Sequence, residues 1–335
     1  MRHLVRSRAI GFALVILVLS LLAAYSADPS RRSDSNLPPK TYYRRAQVLG
    51  HDIFYREAGD PSKATIVLLH GYPSSSHTYR ELIPILAASF HVVAPDYIGS
   101  GYSAHPSPSS YTYTFDKLAD HVEGLLNQLK LDHYFLYMQD FGAPVGFRLM
   151  MRHPESIIGF ISQNANAYLD GLTEKRREFF LDANRDRSPA HVATLFEWTG
   201  EDAIVHRQYL RDVPKDRWDE VSPDAWTFDL NFLRTDEDRR IQVQLFQDYQ
   251  TNIDQYPQWQ ALMREKQFPA LIVWGKNDAA FIADGARAYL RDLPNARLHL
   301  LDAGHFAVEE KCAEVAKYVL EFMDDTLKEG PQHSK

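Results

Sequence analysis

Residues 135–146, FLYMQDFGAPVG, decide the fold, because they have the pattern of a buried strand that breaks sharply into a helix. A run of apolar residues ends at Gln139 and Asp140, and glycines follow at Gly142 and Gly146. Turns of this kind lift a nucleophile out of the protein, and they need small residues around them because the backbone packs tightly. The residue at the tip is usually serine or cysteine, whereas here it is Asp140. The stretch therefore predicts a nucleophile-bearing turn with a carboxylate at its tip.

Strand and helix patterns alternate on both sides of this turn. Short apolar runs rich in β-branched residues alternate with segments whose apolar residues recur at helical spacing, such as residues 114–131. This alternation predicts an α/β fold with a mainly parallel sheet and helices on both faces. The predicted strands are residues 64–70, 90–96, 133–140, 157–165, 269–278 and 296–306.

The middle of the chain interrupts the alternation. Residues 171–265 contain no convincing strand, but they contain several helical segments rich in aromatic residues. We therefore predict a helical cap at 171–265, inserted between strands of a core that comprises 41–170 and 266–328. Such an insertion lies over the carboxyl ends of the strands, where ligands bind in parallel sheets. Most of the aromatic residues are expected to form the cap's own core, and a few to line a pocket beneath it.

The N-terminus has the pattern of a targeting segment. Three arginines precede an uncharged run, AIGFALVILVLSLLAAYSA at 9–27, which ends in a small-x-small site. Residues 1–27 are predicted to be a signal peptide, or a membrane anchor if they are not cleaved. Residues 28–40 are polar and are predicted to be a flexible linker. The rest of the chain is then expected to be exported, as a periplasmic, secreted or membrane-anchored protein.

Composition excludes several classes of function. The 335 residues have a formal net charge of -7, without the basic stripe that nucleic-acid binding requires. A single cysteine, Cys312, excludes an intramolecular disulfide and any cysteine-based metal cluster. The 14 histidines are scattered and form no HExxH motif. No metal or cofactor is therefore expected, and the oligomeric state is left open.

Two further motifs complete a candidate site. His70 and Gly71 open the turn HGYP directly after a predicted strand, which places the N–H of Tyr72 beside the nucleophile. Together with the N–H of Phe141 it is predicted to form an oxyanion hole. Asp278 and His305 each follow a later strand, in the chain order nucleophile, acid, histidine. We predict that His305 is the general base and that Asp278 orients it.

The combination of HGYP, an aspartate in the turn, GKND at 275–278 and GHF at 304–306 resembles the α/β-hydrolase superfamily. The resemblance extends from about residue 47 to residue 323, includes DYIGSGYS at 96–103, and is to the branch of epoxide hydrolases and haloalkane dehalogenases. It implies an α/β-hydrolase fold with a helical cap. Met138 departs from the pattern, because serine hydrolases usually have glycine at this position.

A carboxylate nucleophile suits an electrophilic sp3 carbon, because it is already ionised and needs no base. Attack by Asp140 would give an alkyl ester, and His305 would then activate water to hydrolyse it. Small apolar epoxides and alkyl halides are the two substrate classes that this chemistry indicates. An ordinary esterase would need a serine in the turn, and a non-catalytic ligand-binding protein would be expected to have lost part of the triad.

The leaving group distinguishes the two classes. In dehalogenases a tryptophan after the nucleophile donates to the halide, whereas this chain has Phe141 there and would need Trp198 or Trp226 instead. In epoxide hydrolases cap tyrosines protonate the alkoxide, and Tyr249 and Tyr256 resemble such tyrosines by position. Tyr168 and Tyr209 are at no convincing spacing, and Gln139 before the aspartate resembles a dehalogenase. The sequence therefore favours an epoxide hydrolase, with haloalkane dehalogenase as the alternative.

Overall fold

Eight strands form one sheet in the computed structural model, which describes residues 38–330. The strands are β1 (Tyr42–Val48), β2 (His51–Ala58), β3 (Thr65–Leu69), β4 (His91–Pro95), β5 (Tyr134–Gln139), β6 (Ile157–Gln163), β7 (Ala270–Gly275) and β8 (Arg297–Leu301). Their order across the sheet is β1-β2-β4-β3-β5-β6-β7-β8. The β1–β2 and β2–β4 pairs are antiparallel, and the other pairs are parallel. The fold class predicted from the sequence is confirmed.

Helices cover both faces of the sheet. On one face lie α1 (Leu82–Ala87) and α12 (Cys312–Glu329), whose apolar side chains pack in one buried cluster with β3 and β5. On the other face lie α2 (Phe115–Gln128), α3 (Gly142–Arg152) and α10 (Asp284–Asp292). A short helix, α11 (Ala307–Glu310), follows β8. The central strands β3, β5 and β7 are buried along their whole length because helices cover both of their faces.

The cap consists of helices between β6 and β7. They are α4 (Glu174–Arg185), α5 (Pro189–Glu197), α6 (Glu201–Ile204), α7 (Pro223–Asn231), α8 (Asp236–Asp248) and α9 (Gln250–Lys266). Several of them begin where the sequence supplies a capping hydroxyl. Thr173, Ser188, Ser222 and Thr235 each accept a hydrogen bond from a backbone N–H in the first turn of the helix that follows. Proline follows the serine caps at Pro189 and Pro223, where no N–H is needed.

The predicted signal or anchor at 1–27 and most of the predicted linker at 28–40 lie outside the described residues. Within residues 38–330, no helix combines the length and the apolar character that crossing a membrane requires. No group of three potential metal ligands occurs in the same range.

Candidate active site

The turn between β5 and α3 holds Asp140 in a strained backbone conformation. Its φ of 49° is left-handed, which costs a residue with a side chain about 1–2 kcal/mol. Two glycines make the turn possible. A Cβ at Gly142 would lie 2.2 Å from the carbonyl oxygen of Leu69, and one at Gly71 would lie 2.3 Å from the Cβ of Asp140. The turn thus packs directly against β3, and the carboxylate of Asp140 is presented above the edge of the sheet.

Met138 fits beside this turn because Gly146 leaves room for it. A Cβ at Gly146 would lie 2.2 Å from the sulfur of Met138, so the methionine fills the space that a larger residue in α3 would occupy. The departure from the usual motif is therefore compensated one helical turn later.

Three side chains predicted from separate motifs meet at this edge. His305, which follows β8, donates from Nδ1 to Oδ2 of Asp278 over 2.6 Å. Its Nε2 lies 3.4 Å from Oδ2 of Asp140. They come together because β5, β7 and β8 are parallel strands whose carboxyl ends share one edge. All three residues are at most 5% exposed, so their interactions are weakly screened.

The carboxylate of Asp278 is saturated with donors. Its Oδ1 accepts from the backbone N–H groups of Ala280 (2.7 Å) and Phe281 (2.9 Å) and from Arg211 (3.2 Å). Its Oδ2 accepts from Asn164 Nδ2 over 2.9 Å as well as from His305. Burial alone would raise the pKa of Asp278, but the charge and hydrogen bond of His305, with Arg211, lower it below its ordinary value.

Asn164 and Arg211 were not singled out from the sequence. Asn164 follows β6 with a left-handed φ of 45°, and its side chain donates to Asp278. An asparagine directly after a strand is a usable signal, because this residue type tolerates that conformation. Arg211 belongs to the cap and carries no comparable signal.

The HGYP turn supplies a backbone donor to Asp140. The N–H of Tyr72 donates to Oδ1 of Asp140 over 2.7 Å. Phe141 is the residue that caps α3, so its N–H is one of the unpaired amides at the start of that helix. His70 accepts from the N–H of Tyr97 and contacts the carbonyl of Gly71, and burial lowers its pKa to about 4. His70 is therefore neutral and braces the turn.

Above Asp140 lies a small cavity of about 30 Å³. Its walls come from the core and the cap in similar numbers, and most of its lining is aromatic. The core contributes Tyr72, Asp140, Phe141, Ala280, Phe281 and His305, and the cap contributes Arg176, Phe179, Phe180, Trp198, Gln208 and Phe246. The sequence predicted that some cap aromatics line a pocket, but it did not identify Arg176 or Gln208. The geometry leaves Asp140 and His305 facing a largely apolar space closed by the cap.

Tyr249 and Tyr256 lie behind the cavity wall rather than in it. Both are buried, and the ring of Tyr249 stacks on Phe180 at 3.8 Å and lies 5.5 Å from Phe141. Neither hydroxyl has a hydrogen-bond partner of normal geometry within residues 38–330. Burial raises the pKa of both phenols, and the negative charge of Asp140 raises it further. Both therefore keep their protons.

The remaining tyrosines and tryptophans considered from the sequence differ in whether they are free to act and whether they line the cavity. Tyr168 donates to Asp292 over 2.7 Å and Tyr209 donates to Asp229 over 2.6 Å, so both hydroxyls are already engaged. Trp198 lines the cavity, whereas Trp226 lines a different, surface pocket.

The charge of His305 predicts a pH-dependent stability. Burial acts to lower the pKa of His305, but Asp278 and Asp140 raise it to about 10. Because this exceeds the ordinary value of 6.5, the bound proton stabilises the folded chain fully below pH 6.5. That contribution is lost as the pH rises toward 10. We expect the free energy of unfolding to fall by about 1 kcal/mol per pH unit between pH 7 and 9, measured by urea denaturation. His305→Gln should lack this part of the slope, and an unchanged slope would contradict the assignment.

Comparison with known proteins identifies the family. Residues 64–311 match the model of the alpha/beta hydrolase fold family. An uncharacterized hydrolase of Saccharomyces cerevisiae is 38% identical over 275 residues, which is 81% of this chain and 93% of the yeast protein.

Two solved structures share the architecture. A loop variant of the haloalkane dehalogenase DbeA from Bradyrhizobium elkanii superposes with a TM-score of 0.71 and 20% identity, covering 87% of this chain and 99% of that one. The epoxide hydrolase VrEH1 from Vigna radiata has a TM-score of 0.67 and 20% identity, covering 85% and 98%. At this identity the two structures show a common fold. With the family match and the yeast relative, they establish that this protein belongs to the α/β-hydrolase family and is a hydrolase.

Proposed function

We propose that the protein hydrolyses an electrophilic sp3 carbon through a covalent ester of Asp140, and that its reaction is the opening of an epoxide to a diol. The observation that carries this proposal is the position of the Asp140 carboxylate. It lies between the N–H of Tyr72 and Nε2 of His305, and it faces a cavity with an aromatic lining. Asp140, Asp278 and His305 would then be the catalytic triad.

The first step needs no base. A carboxylate oxygen of Asp140 attacks a ring carbon, the carbon–oxygen bond of the epoxide breaks, and the alkoxide takes a proton. Toward an ester a carboxylate is a poor nucleophile, because the anhydride that results is less stable than the ester. This difference explains why an aspartate at the tip of the turn indicates alkyl rather than acyl chemistry.

The second step uses His305. Once Asp140 is an ester it no longer carries a negative charge, so one of the two anions that raise the pKa of His305 is gone. The imidazolium can then release its proton and act as the base for water attack on the ester carbonyl. The N–H groups of Tyr72 and Phe141 would stabilise the oxyanion that forms.

The proton donors favour an epoxide over a halide. Phe141 has no N–H in its side chain, so the usual halide donor after the nucleophile is missing. Tyr249 and Tyr256 instead offer two phenols directly behind the aromatic wall of the cavity, and neither hydroxyl makes a hydrogen bond of normal geometry within residues 38–330. They would protonate the alkoxide once the bound substrate displaces the rings of that wall. Dehalogenation is the second candidate, since Trp198 lines the cavity and its indole N–H makes no hydrogen bond within residues 38–330.

Oxygen labelling tests the covalent mechanism and the substrate class together. Full-length protein in excess over propylene oxide, in H2-18O, should form unlabelled propanediol in the first turnover, because the new oxygen comes from Asp140. Later turnovers should give labelled diol. Label in the first-turnover diol would mean direct attack by water, and turnover of 1-bromopropane without turnover of the epoxide would establish the dehalogenase reading.

Removing both hydroxyls should slow the opening of the ring. We expect Tyr249→Phe with Tyr256→Phe to reduce the rate of ester formation about 100- to 10,000-fold, since general-acid assistance contributes this much. The hydrolysis of preformed ester should be unchanged. Tyr318→Phe, at an exposed and distant hydroxyl, is the control. A double variant that retains more than a third of the rate would remove the tyrosines from the mechanism.

A further inference from the structure

One cation at the cavity, Arg176, contacts no carboxylate within residues 38–330. Arg176, in α4, lines the cavity with Asp140 and His305, but its guanidinium makes no ion pair or hydrogen bond within residues 38–330. Arg211 shows the usual arrangement nearby, because it binds Asp212 over 2.7 Å and also contacts Asp278. Arg176 is therefore a positive charge at the site that no protein carboxylate contacts, although Asp278 and Asp140 act on it from beyond ion-pair distance.

The surroundings of Arg176 make this arrangement costly. Its guanidinium carbon lies over the rings of Phe179 (5.5 Å), Trp198 (5.7 Å) and Phe180 (6.0 Å). Arg176 is partly buried, and cation–π contacts of this kind offset only part of the hydration that its guanidinium loses. Burial lowers the pKa of Arg176, as does the positive charge of Arg211, yet arginine stays charged in proteins. Such a group normally binds an anion.

The catalytic carboxylates do not fill this role. Asp140 is held by the N–H of Tyr72 and by His305, and neither Asp140 nor Asp278 is within ion-pair distance of Arg176. The imidazolium of His305 already balances one of these two anions. The open place beside Arg176 is thus available to an anionic group of the substrate.

We propose that Arg176 binds a carboxylate of the substrate, so that the substrate is a short electrophile with a carboxylate next to its reactive carbon. This inference rests on the proposed function, and for an epoxide it indicates an oxirane carboxylate such as glycidate. The cavity of about 30 Å³ is small, which favours a short substrate. In so small a space, the carboxylate and the carbon attacked by Asp140 must be close neighbours.

The reaction balances with water alone. Asp140 bonds to a ring carbon of glycidate, the ring carbon–oxygen bond breaks, and the alkoxide takes a proton from a tyrosine. Water then cleaves the ester, and the products are glycerate and free Asp140. Arg176 is needed because an anionic substrate is otherwise repelled by the anionic nucleophile, and in a site of low dielectric constant that repulsion is strong. A guanidinium that binds the carboxylate removes the repulsion and orients the ring.

Arg176→Met tests this proposal, because methionine keeps the contact with the aromatic rings and removes the charge. Glycidate and propylene oxide are compared as substrates of the full-length protein. We expect kcat/KM for glycidate to fall about 10- to 100-fold, mainly through KM, as for the loss of a charge-assisted hydrogen bond. The value for propylene oxide should stay within about threefold. Arg177→Met, at the exposed neighbouring position of the same helix, should change neither value.

Each other outcome would overturn the proposal. An equal fall in kcat/KM for both substrates would indicate that Arg176 acts on the leaving group and not on a carboxylate. Turnover of propylene oxide without turnover of glycidate would show that the site rejects carboxylates, while leaving the proposed epoxide hydrolysis intact. If Arg176→Met does not fold, Arg176→Lys replaces it, and it should retain an intermediate preference for glycidate because it keeps the charge but loses the two-pronged geometry.

Binding of propionate tests the carboxylate site independently of the proposed hydrolysis. Propionate has the carboxylate but no electrophilic carbon, and its binding to the wild-type protein can be measured by calorimetry without any reaction. We expect binding that weakens about 10- to 100-fold in Arg176→Met and is unchanged in Arg177→Met. If no epoxide or halide is hydrolysed but propionate binds in this way, the proposed function fails and the carboxylate site stands. If propionate does not bind, the carboxylate site fails.

Discussion

Full-length His305→Gln protein mixed with propylene oxide should gain the mass of one whole epoxide molecule. A carboxylate needs no base to attack an electrophilic carbon, so the ester still forms, but no group near it can take a proton from water. The glutamine amide cannot act as a base. Hydrolysis of the ester should slow by at least about 1,000- to 10,000-fold, the contribution expected of a general base. The adduct is measured as intact mass and located on Asp140 by peptide mapping.

The same variant distinguishes the two substrate classes. With 1-bromopropane the added mass would be a propyl group without bromine, because the halide leaves in the first step. His299→Gln is a matched control, since this partly exposed histidine of β8 stacks on Tyr318 far from the cavity. It should turn over like the wild type and show no adduct. An adduct on a residue other than Asp140, or none with either reagent while the wild type is active, would disprove the ester mechanism.

Asp278→Asn should block hydrolysis of the Asp140 ester, because it changes which ring nitrogen of His305 carries the proton. The amide oxygen must occupy the Oδ1 position, because two backbone N–H groups and Arg211 donate there. The amide NH2 then faces His305 Nδ1, which must accept, and the ring proton moves to Nε2. A histidine protonated at Nε2 cannot take a proton from water beside Asp140. We expect hydrolysis to slow about 10,000-fold, as happens when the same change is made in a serine-protease triad.

Two measurements check this explanation. Ester should accumulate in Asp278→Asn as it does in His305→Gln, because formation of the ester does not involve the tautomer. Asp302→Asn, at an exposed carboxylate after β8, should be fully active. If Asp278→Asn keeps more than a tenth of the wild-type hydrolysis rate, Asp278 does not control His305 in the way that the geometry indicates.

The core of the site was predictable because it depends on strand ends. Asp140 directly follows β5, whereas Asp278 and His305 lie in the short loops just after β7 and β8, and parallel strands bring their carboxyl ends together whatever the intervening helices do. Tyr72 was predictable for the same reason. The sequence pattern of each strand therefore located a candidate site residue in the loop that follows the strand.

The cap side of the site was not predictable in this way. A cap helix directs a residue to the cavity or away from it depending on how it packs on the core, and several cap helices are too weakly amphipathic to show which face is buried. Tyr249 was singled out from its position, yet it lies behind Phe180 rather than in the cavity. Arg176 carried no signal, because an arginine at the start of a helix usually faces solvent. Only the assembled structure shows it beside Asp140.

The left-handed backbone at Asp140 has a consequence for how the protein can lose its activity. Asparagine tolerates this conformation as well as aspartate does, and it is nearly the same size. A change of Asp140 to asparagine would leave the turn, its glycine contacts and the buried strands in place while removing the proposed nucleophile. The stability of the fold therefore does not favour aspartate over asparagine at this position. The single substitution Asp140→Asn is therefore expected to give a folded protein without the proposed activity.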